Sequence, residues 1–416
     1  MKNTGCNDPK HSLLPIITVN FIGSLSFAIV IPFLVFLVER FGGNAIIYGL
    51  INSMYPAFQL VGGPILGRWS DIHGRKKILL VSQIGTLLSW IIFLCAFFLP
   101  LDELIRVNSA ITGSFILTLP LIILFIARSL DGITGGNVAV ANAYLADITR
   151  EKDRNKNFGK MSIASNLGFI IGPALAGVLS MTTYGEMIPV IATIVISIAG
   201  TIIIGLFIPA TTHCISRQQN KIKLKHVMQI QNIPFILILY FFIFLGFNIF
   251  YTSFPIHAIK VLKWSVSDMG IYFSFLSIIM VIVQGPVLTR ASERFRDSQL
   301  VIAGSMLLGT NFLLLTSGDF VLTYIAAVFF AFGNGIMWPS ILSIISKLAG
   351  AQNQGSVQGF ASSFSSMAAI IGLIVGGIIY EIFQAKAFVV TALIIYIVFI
   401  LSFRLLKLED LNHEKY

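Results

Sequence analysis

Charge is what this 416-residue chain has least of. Asp, Glu, Lys and Arg make up 11% of it, against about 25% in a soluble domain. With 56% hydrophobic residues and a mean hydropathy of +0.88, too little polar surface remains to cover a water-soluble fold. A polytopic membrane protein needs no such cover. Cysteine is scarce as well: Cys6, Cys95 and Cys214 stand far apart without metal-ligand spacing, so free thiols are expected and a metal site is not. No G-x-x-x-x-G-K-[ST] run is present to cradle a phosphate, which removes ATP as a drive. No Ser/His/Asp or nucleotide constellation suggests an enzyme: His73 lies in a short connection and His257 near the end of an apolar run, neither with neighbours suited to catalysis. The expectation is a protein that is not an enzyme and carries no cofactor.

What the chain does contain is apolar runs of about 20 residues. They fall at 13–38, 45–67, 78–100, 119–146, 160–182, 187–209, 234–258, 267–289, 299–317, 320–346, 357–381 and 386–406, predicting twelve spans. The 35 Gly residues suit close helix approach in a membrane. The net charge of +10 does not indicate a nucleic-acid partner, because the basic residues are sorted between membrane loops. With the N-terminus placed inside, only Arg40, Arg106, Lys260, Lys263 and Lys386 fall in outer loops and Arg128 in a span; all other Lys and Arg lie on the inner side. That asymmetry predicts both termini in the cytoplasm. Residues 1–209 form a six-span half, 210–232 a basic cytoplasmic linker and 233–416 a second six-span half. The linker carries Arg217, Lys221, Lys223 and Lys225; an interfacial helix on anionic lipid and a solvated tether both fit it.

Residues 67–76, between the second and third runs, read G-R-W-S-D-I-H-G-R-K. Gly67 permits close contact at the end of a span, Gly74 permits a tight turn, and Asp71 and Arg75, followed by Lys76, set opposite charges at the membrane surface. This G-x-x-x-D-x-x-G-R-K pattern resembles the signature between the second and third helices of the major facilitator superfamily of secondary transporters. The stretch 285–294 looks like a worn copy of it, as the parallel six-helix repeats of that fold would imply. The resemblance implies that Asp71 caps the eleventh helix near Gly355 and Ser356, where orphan N–H groups attract an anion, and that Arg75 pairs with Asp147. Such a cluster would latch the halves on the cytoplasmic side.

The fourth span holds Arg128 and Asp131 in A-R-S-L-D-G-I-T-G-G. A buried Arg costs at least about 2.5–3.5 kcal/mol on insertion scales and is normally functional or paired. Three residues apart, the two lie near one helical face. This resembles the family's fourth-helix pattern, whose Arg is implicated in proton transfer in proton-driven members; a structural ion pair is the alternative. Asp131 is the sole mid-span carboxylate, so it is the candidate proton carrier. The fifth span contains Gly168, Gly172, Pro173 and Gly177 in G-x-x-x-G-P-x-x-x-G, which looks like the family's antiporter motif, although small-residue packing alone would also favour it. Together these stretches resemble the twelve-span drug/proton antiporters and, within them, the tetracycline-efflux-like branch. One departure stands out: the first span lacks the Asp that tetracycline antiporters carry, which argues against tetracycline itself.

In that fold the first, fourth, seventh and tenth helices line the central path. The resemblance therefore nominates Asn20, Ser24, Phe27, Asn137, Asn248, Tyr251, Asn334 and Trp338 besides the Arg128–Asp131 pair. Tyr55, Gln59, Asn166, Gln284 and Ser366 on the second, fifth, eighth and eleventh helices complete the set. Many of these could instead serve as interhelical ties. The expectation is an all-α membrane protein of twelve transmembrane helices in two pseudo-symmetric six-helix bundles. It would be a monomeric, proton-coupled antiporter in the bacterial inner (cytoplasmic) membrane, drawing on the proton gradient and meeting small-molecule substrate, protons and lipid. A dedicated siderophore or metabolite carrier, working as an importer, is the alternative.

Overall fold

A computed structural model of the chain describes residues 12–109, 113–135, 137–149, 154–209, 228–230 and 232–413, with side chains for all of these but 137–139, 154–156, 350–356 and 409–413. Cys6, Cys214 and most of the expected linker 210–232 lie outside the described residues, as do the side chains of Asn137, Gly355 and Ser356.

The first expected span is two pieces, α1 (Leu14–Ile29) and α2 (Leu34–Arg40), bent by 40° at their break. Pro32 sits in that break, lacking an N–H and crowding the preceding turn. Helix α3 (Ala45–His73) starts at Asn44, whose side chain accepts from the N–H groups of Ile46 and Ile47, both at 3.1 Å. Only Gly74, at φ 95°, separates α3 from α4 (Arg75–Cys95). A side chain there would be strained. The signature stretch, expected as a loop, is thus mostly helix around a one-residue turn.

A hairpin that the sequence reading did not foresee follows. Strand β1 (Glu103–Ser109) pairs antiparallel with β2 (Gly113–Thr118). It is tied to the connection between α2 and α3 by Ile116 N–H donating to Gly42 O at 2.8 Å and Thr118 Oγ1 donating to Phe41 O at 2.7 Å. Then come α5 (Leu119–Thr134), α6 (Asn137–Ile148), α7 (Arg154–Leu179) and α8 (Met187–Phe207). The second half consists of α9 (Ile233–Lys260), α10 (Val266–Ile282), α11 (Leu288–Arg294), α12 (Asp297–Leu314), α13 (Phe320–Phe383) and α14 (Ala387–His413). A π-helical turn, Val283–Val287, joins α10 to α11 around Pro286, which removes a backbone donor. The worn copy at 285–294 is therefore helical, and only Phe295 and Arg296 connect α11 to α12.

Helix α13 is continuous over 64 residues, about 96 Å if straight and three times the hydrocarbon thickness of a bilayer. It is not straight. Its first part runs antiparallel to α9, with Phe330 against Phe250 and Trp338 against Tyr240. Its later part runs parallel to α9, with Gly372 beside Asn248, Gly376 beside Ile249 and Tyr380 on His257. The chain reverses between them, so α13 supplies the tenth and eleventh spans. Among the described residues eight stretches are long and apolar enough to cross a membrane, nine with the bent α1–α2 pair. The stretch from Val357 to Leu408 is two spans divided at Gln384, φ 49°. Helix α3, and α5 followed by α6, complete the twelve.

Within the first half α1 packs on α7 and α8, and α4 on α5 and α8; within the second, α9 and α12 pack on α13 and α14. Two main seams join the halves, α3 with α13 and α7 with α10. We call the end bearing the hairpin the hairpin end, and the end bearing Gly74 the motif end.

Candidate functional site

Arg128 and Asp131 lie on α5 at the centre of the first half, 3% and 6% exposed. Their separation, Arg128 Nη1 to Asp131 Oδ2, is 3.4 Å, a long contact for a charged pair. The guanidinium lies against two rings, its Cζ 5.5 Å from the Phe27 centroid and 5.1 Å from that of Tyr55, within cation–π range. Its Nε has no hydrogen-bond partner among the described residues. Two buried hydroxyl residues of α4, Thr86 and Ser89, lie near the Asp131 carboxylate; Ser89 Oγ itself donates to Thr86 O at 2.7 Å. Sequence reading missed both hydroxyls. Their three-residue spacing on one face of α4 is a signal only once α4 is known to pack on α5.

The structure sorts the remaining path candidates. Phe27 and Tyr55 meet, with centroids 4.6 Å apart. Gln59 Nε2 donates to Tyr55 Oη at 3.2 Å and to Gly135 O at 3.1 Å. Ser24 packs beside Gly168. Asn20 is an interhelical tie: its Nδ2 donates to Met161 O at 3.0 Å and to Ser165 Oγ on α7. Asn248 and Ser366 bond their own helices, to Phe244 O and Ser362 O. Asn334 is buried with Oδ1 unpartnered among the described residues. Asn166 is exposed and Gln284 half-buried. Trp338 and Tyr251 join an aromatic cluster with Phe244 and Phe247, Phe244 to Trp338 at 4.4 Å and Phe247 to Tyr251 at 4.6 Å. His257 Nδ1 lies 3.1 Å from Tyr380 Oη.

The seams explain the glycines. Gly168 and Gly172 on α7 sit against α1 at Phe21 and Ala28, whereas Gly177 meets Gly270 of α10 backbone to backbone. On the other seam Gly49 meets Leu373 and Gly377. Both contacts lie toward the hairpin end. Toward the motif end, Gly63 and Gly67 on α3, Gly159 on α7, Gly285 and Gly359 all face open space. Among the described residues, the glycine contacts between the halves therefore lie toward the hairpin end.

At the motif end Arg75 is 9% exposed. It bonds Asp147 through Nε at 2.8 Å, and Ser70 Oγ at 2.6 Å and Asp71 at 2.5 Å through Nη1. The pairing expected of Arg75 is present. The contact expected of Asp71 near Gly355 and Ser356 falls on side chains outside the described residues; the Asp71 side chain itself is 57% exposed and pairs with Arg75. Lys76 Nζ donates to Gly205 O at 2.8 Å near the end of α8. The second half repeats the arrangement with charges exchanged, a feature the sequence reading did not find. Asp297, opening α12, accepts from Lys347 Nζ and Ser343 Oγ, both at 2.6 Å. Replacing Arg75 with Ala should lower stability by about 1.5–3 kcal/mol, the worth of hydrogen bonds to a charged group. Asp297→Ala, whose Lys347 partner is exposed, should cost under about 1 kcal/mol. Thermal melts in detergent would check the order.

A family model described as Major Facilitator Superfamily matches residues 16–317 and 236–415. The chain is 26% identical over 384 residues to the tetracycline resistance protein, class D, of Salmonella ordonez, covering 89% of this chain and 90% of that protein. It is 26% identical over 385 residues to multidrug resistance protein 1 of Bacillus subtilis (strain 168), covering 90% and 91%. Among solved structures, the crystal structure of a D-xylose-proton symporter superposes with a TM-score of 0.76 at 12% identity, over 94% of this chain and 96% of that one; at that identity the likeness concerns the fold.

Proposed function

The chain belongs to the major facilitator superfamily, and on that premise we propose that it is a proton-coupled antiporter exporting small amphipathic organic compounds, drugs or metabolites, by alternating access. The observation that carries this reading is the burial of one Arg128–Asp131 pair in a half-bundle whose glycine contacts with the other half, among the described residues, lie toward the hairpin end. A carrier that exchanges a proton for cargo needs a protonatable group inside a path that opens to one side at a time. The basic residues collect at the motif end, which makes that end cytoplasmic under the positive-inside rule. Both termini are then cytoplasmic and this conformation faces inward. The relatives' names, tetracycline and multidrug resistance proteins, favour export of drug-like compounds over import of a siderophore. The absence of any carboxylate from α1 speaks against tetracycline itself. The setting is the bacterial inner membrane, the working unit a monomer surrounded by lipid, and the drive the proton gradient.

The experiment uses everted membrane vesicles from cells overproducing the protein, with a panel of fluorescent amphipathic compounds. Acidifying the lumen should drive uptake of at least one compound, collapsing when the pH gradient is discharged. Uptake indifferent to the gradient, or a gradient that drives compounds out of the lumen, would overturn the proposal.

A further inference from the structure

We propose that the central site selects aromatic compounds bearing a carboxylate or similar anionic acceptor and discriminates against organic cations of the same shape. This rests on the transport reading above, and it turns on an imbalance between the two charges. Arg128 brings five N–H donors to one long contact with Asp131 and leaves Nε without a partner among the described residues. The Phe27 and Tyr55 rings steady its charge but accept few of those hydrogens. Asp131 meets Arg128 through one oxygen only, Oδ2. The pair is therefore short of acceptors, and a buried donor left in that state is costly. A cargo that supplies an acceptor relieves it.

A cationic cargo finds only Asp131, which Arg128 already pairs. Every other carboxylate of the chain lies in a loop, a terminus or the end of a span. Within a path of low dielectric, a second positive charge near Arg128 is repelled with little screening.

The second half supplies the aromatic surface. Phe244, Phe247, Tyr251 and Trp338 are half-buried and contiguous, backed by the fully buried Phe250 and Phe330. Helix α3, which carries Tyr55, packs against α9, which carries Phe244, Phe247 and Tyr251, so this surface and the cation's ring cover lie on neighbouring helices. A planar ring fits among these side chains by stacking and edge contacts, with its anionic group directed toward α5. Arg128 is covered by the Tyr55 ring, whose hydroxyl is bonded by Gln59 at 3.2 Å. Displacing that half-buried ring exposes the guanidinium.

The test is equilibrium binding to the purified full-length protein, by scintillation proximity with two radiolabelled probes of one ring system: 2-naphthoate and 2-naphthylmethylammonium. Naphthoate should bind at least about tenfold more tightly, equivalent to 1.4 kcal/mol. Arg128→Gln should erase the preference and Arg128→Lys, which keeps the charge without the fork, should reduce it. Trp338→Ala should weaken both probes. If Arg128→Gln fails to fold, the Arg128→Lys comparison decides. Equal binding, preference for the cation, no binding of either probe at millimolar concentration, or undiminished preference in Arg128→Lys and Arg128→Gln would each overturn the inference. Binding needs no gradient, so the two proposals fail separately. A protein that binds naphthoate selectively but moves nothing with the proton gradient would refute antiport alone, and gradient-driven transport without anion preference would refute selectivity alone.

Discussion

Asp131→Asn protein should insert, fold and exchange cargo across vesicle membranes at near the normal rate, yet lose gradient-driven export by about 10²-fold or more, the usual scale for removing a positioned proton-transfer group. Asparagine keeps the size of the side chain and one of its acceptor oxygens. It removes the only mid-span carboxylate and with it the means of carrying a proton. Breaking a buried ion pair can cost about 3–5 kcal/mol. Here the contact is long and the guanidinium is also held by two rings, so the loss should lie at or below the lower end of that range. Size-exclusion profiles and a melting curve check the fold, while counterflow and pH-driven uptake check the separation of exchange from coupling. Full gradient-driven export by the variant would remove Asp131 from the mechanism and leave the pair a structural tie.

The second large effect concerns the seams. A Cβ on Gly177 would press into the backbone of Gly270, and one on Gly49 into the carbonyl of Leu373. Neither neighbour is the free end of a flexible side chain, so the hairpin-end contact must open to accept it. Overpacking of this kind costs about 1–3 kcal/mol. A shift of 1.4 kcal/mol between two states is tenfold in their ratio. Gly177→Ala and Gly49→Ala should therefore move the protein away from the conformation seen here, toward one closed at the motif end. In a background with Cys6, Cys95 and Cys214 replaced by serine, thiol labelling at Gly63→Cys and Gly359→Cys should slow by about tenfold on adding Gly177→Ala. Both sites face open space, so the reporters themselves fit. Unchanged labelling would mean that the glycine contact does not set the balance between states. Gly159→Ala, at the open end, serves as the neutral control.

Much of this was legible in one dimension, because a lipid solvent imposes a local rule: about 20 apolar residues in succession, with basic residues sorted to one side. That rule sufficed for the spans, and the resemblance at residues 67–76 sufficed for the superfamily. It failed where the backbone departs from uniform helix. Pro32 splits the first span, and Pro286 turns the eighth into a π-helical bulge. The hairpin at 103–118 depends on a partner strand and on Gly42, none of which periodicity in a short polar loop announces.

The candidate site divides in the same way. Arg128 and Asp131 stood out in the sequence because charge in a span is expensive wherever it faces. What surrounds them could be known only from tertiary packing. Thr86 and Ser89, the rings of Phe27 and Tyr55, the unpartnered Nε and the Asp297–Lys347 pair are brought together from helices far apart in the chain. Composition and spacing determined a twelve-span carrier with one internal charge pair, since burial in lipid acts on each segment alone. The end toward which the glycine contacts between the halves lie, and the excess of donors over acceptors at Arg128, belong to the tertiary structure, since both depend on how helices lie against one another.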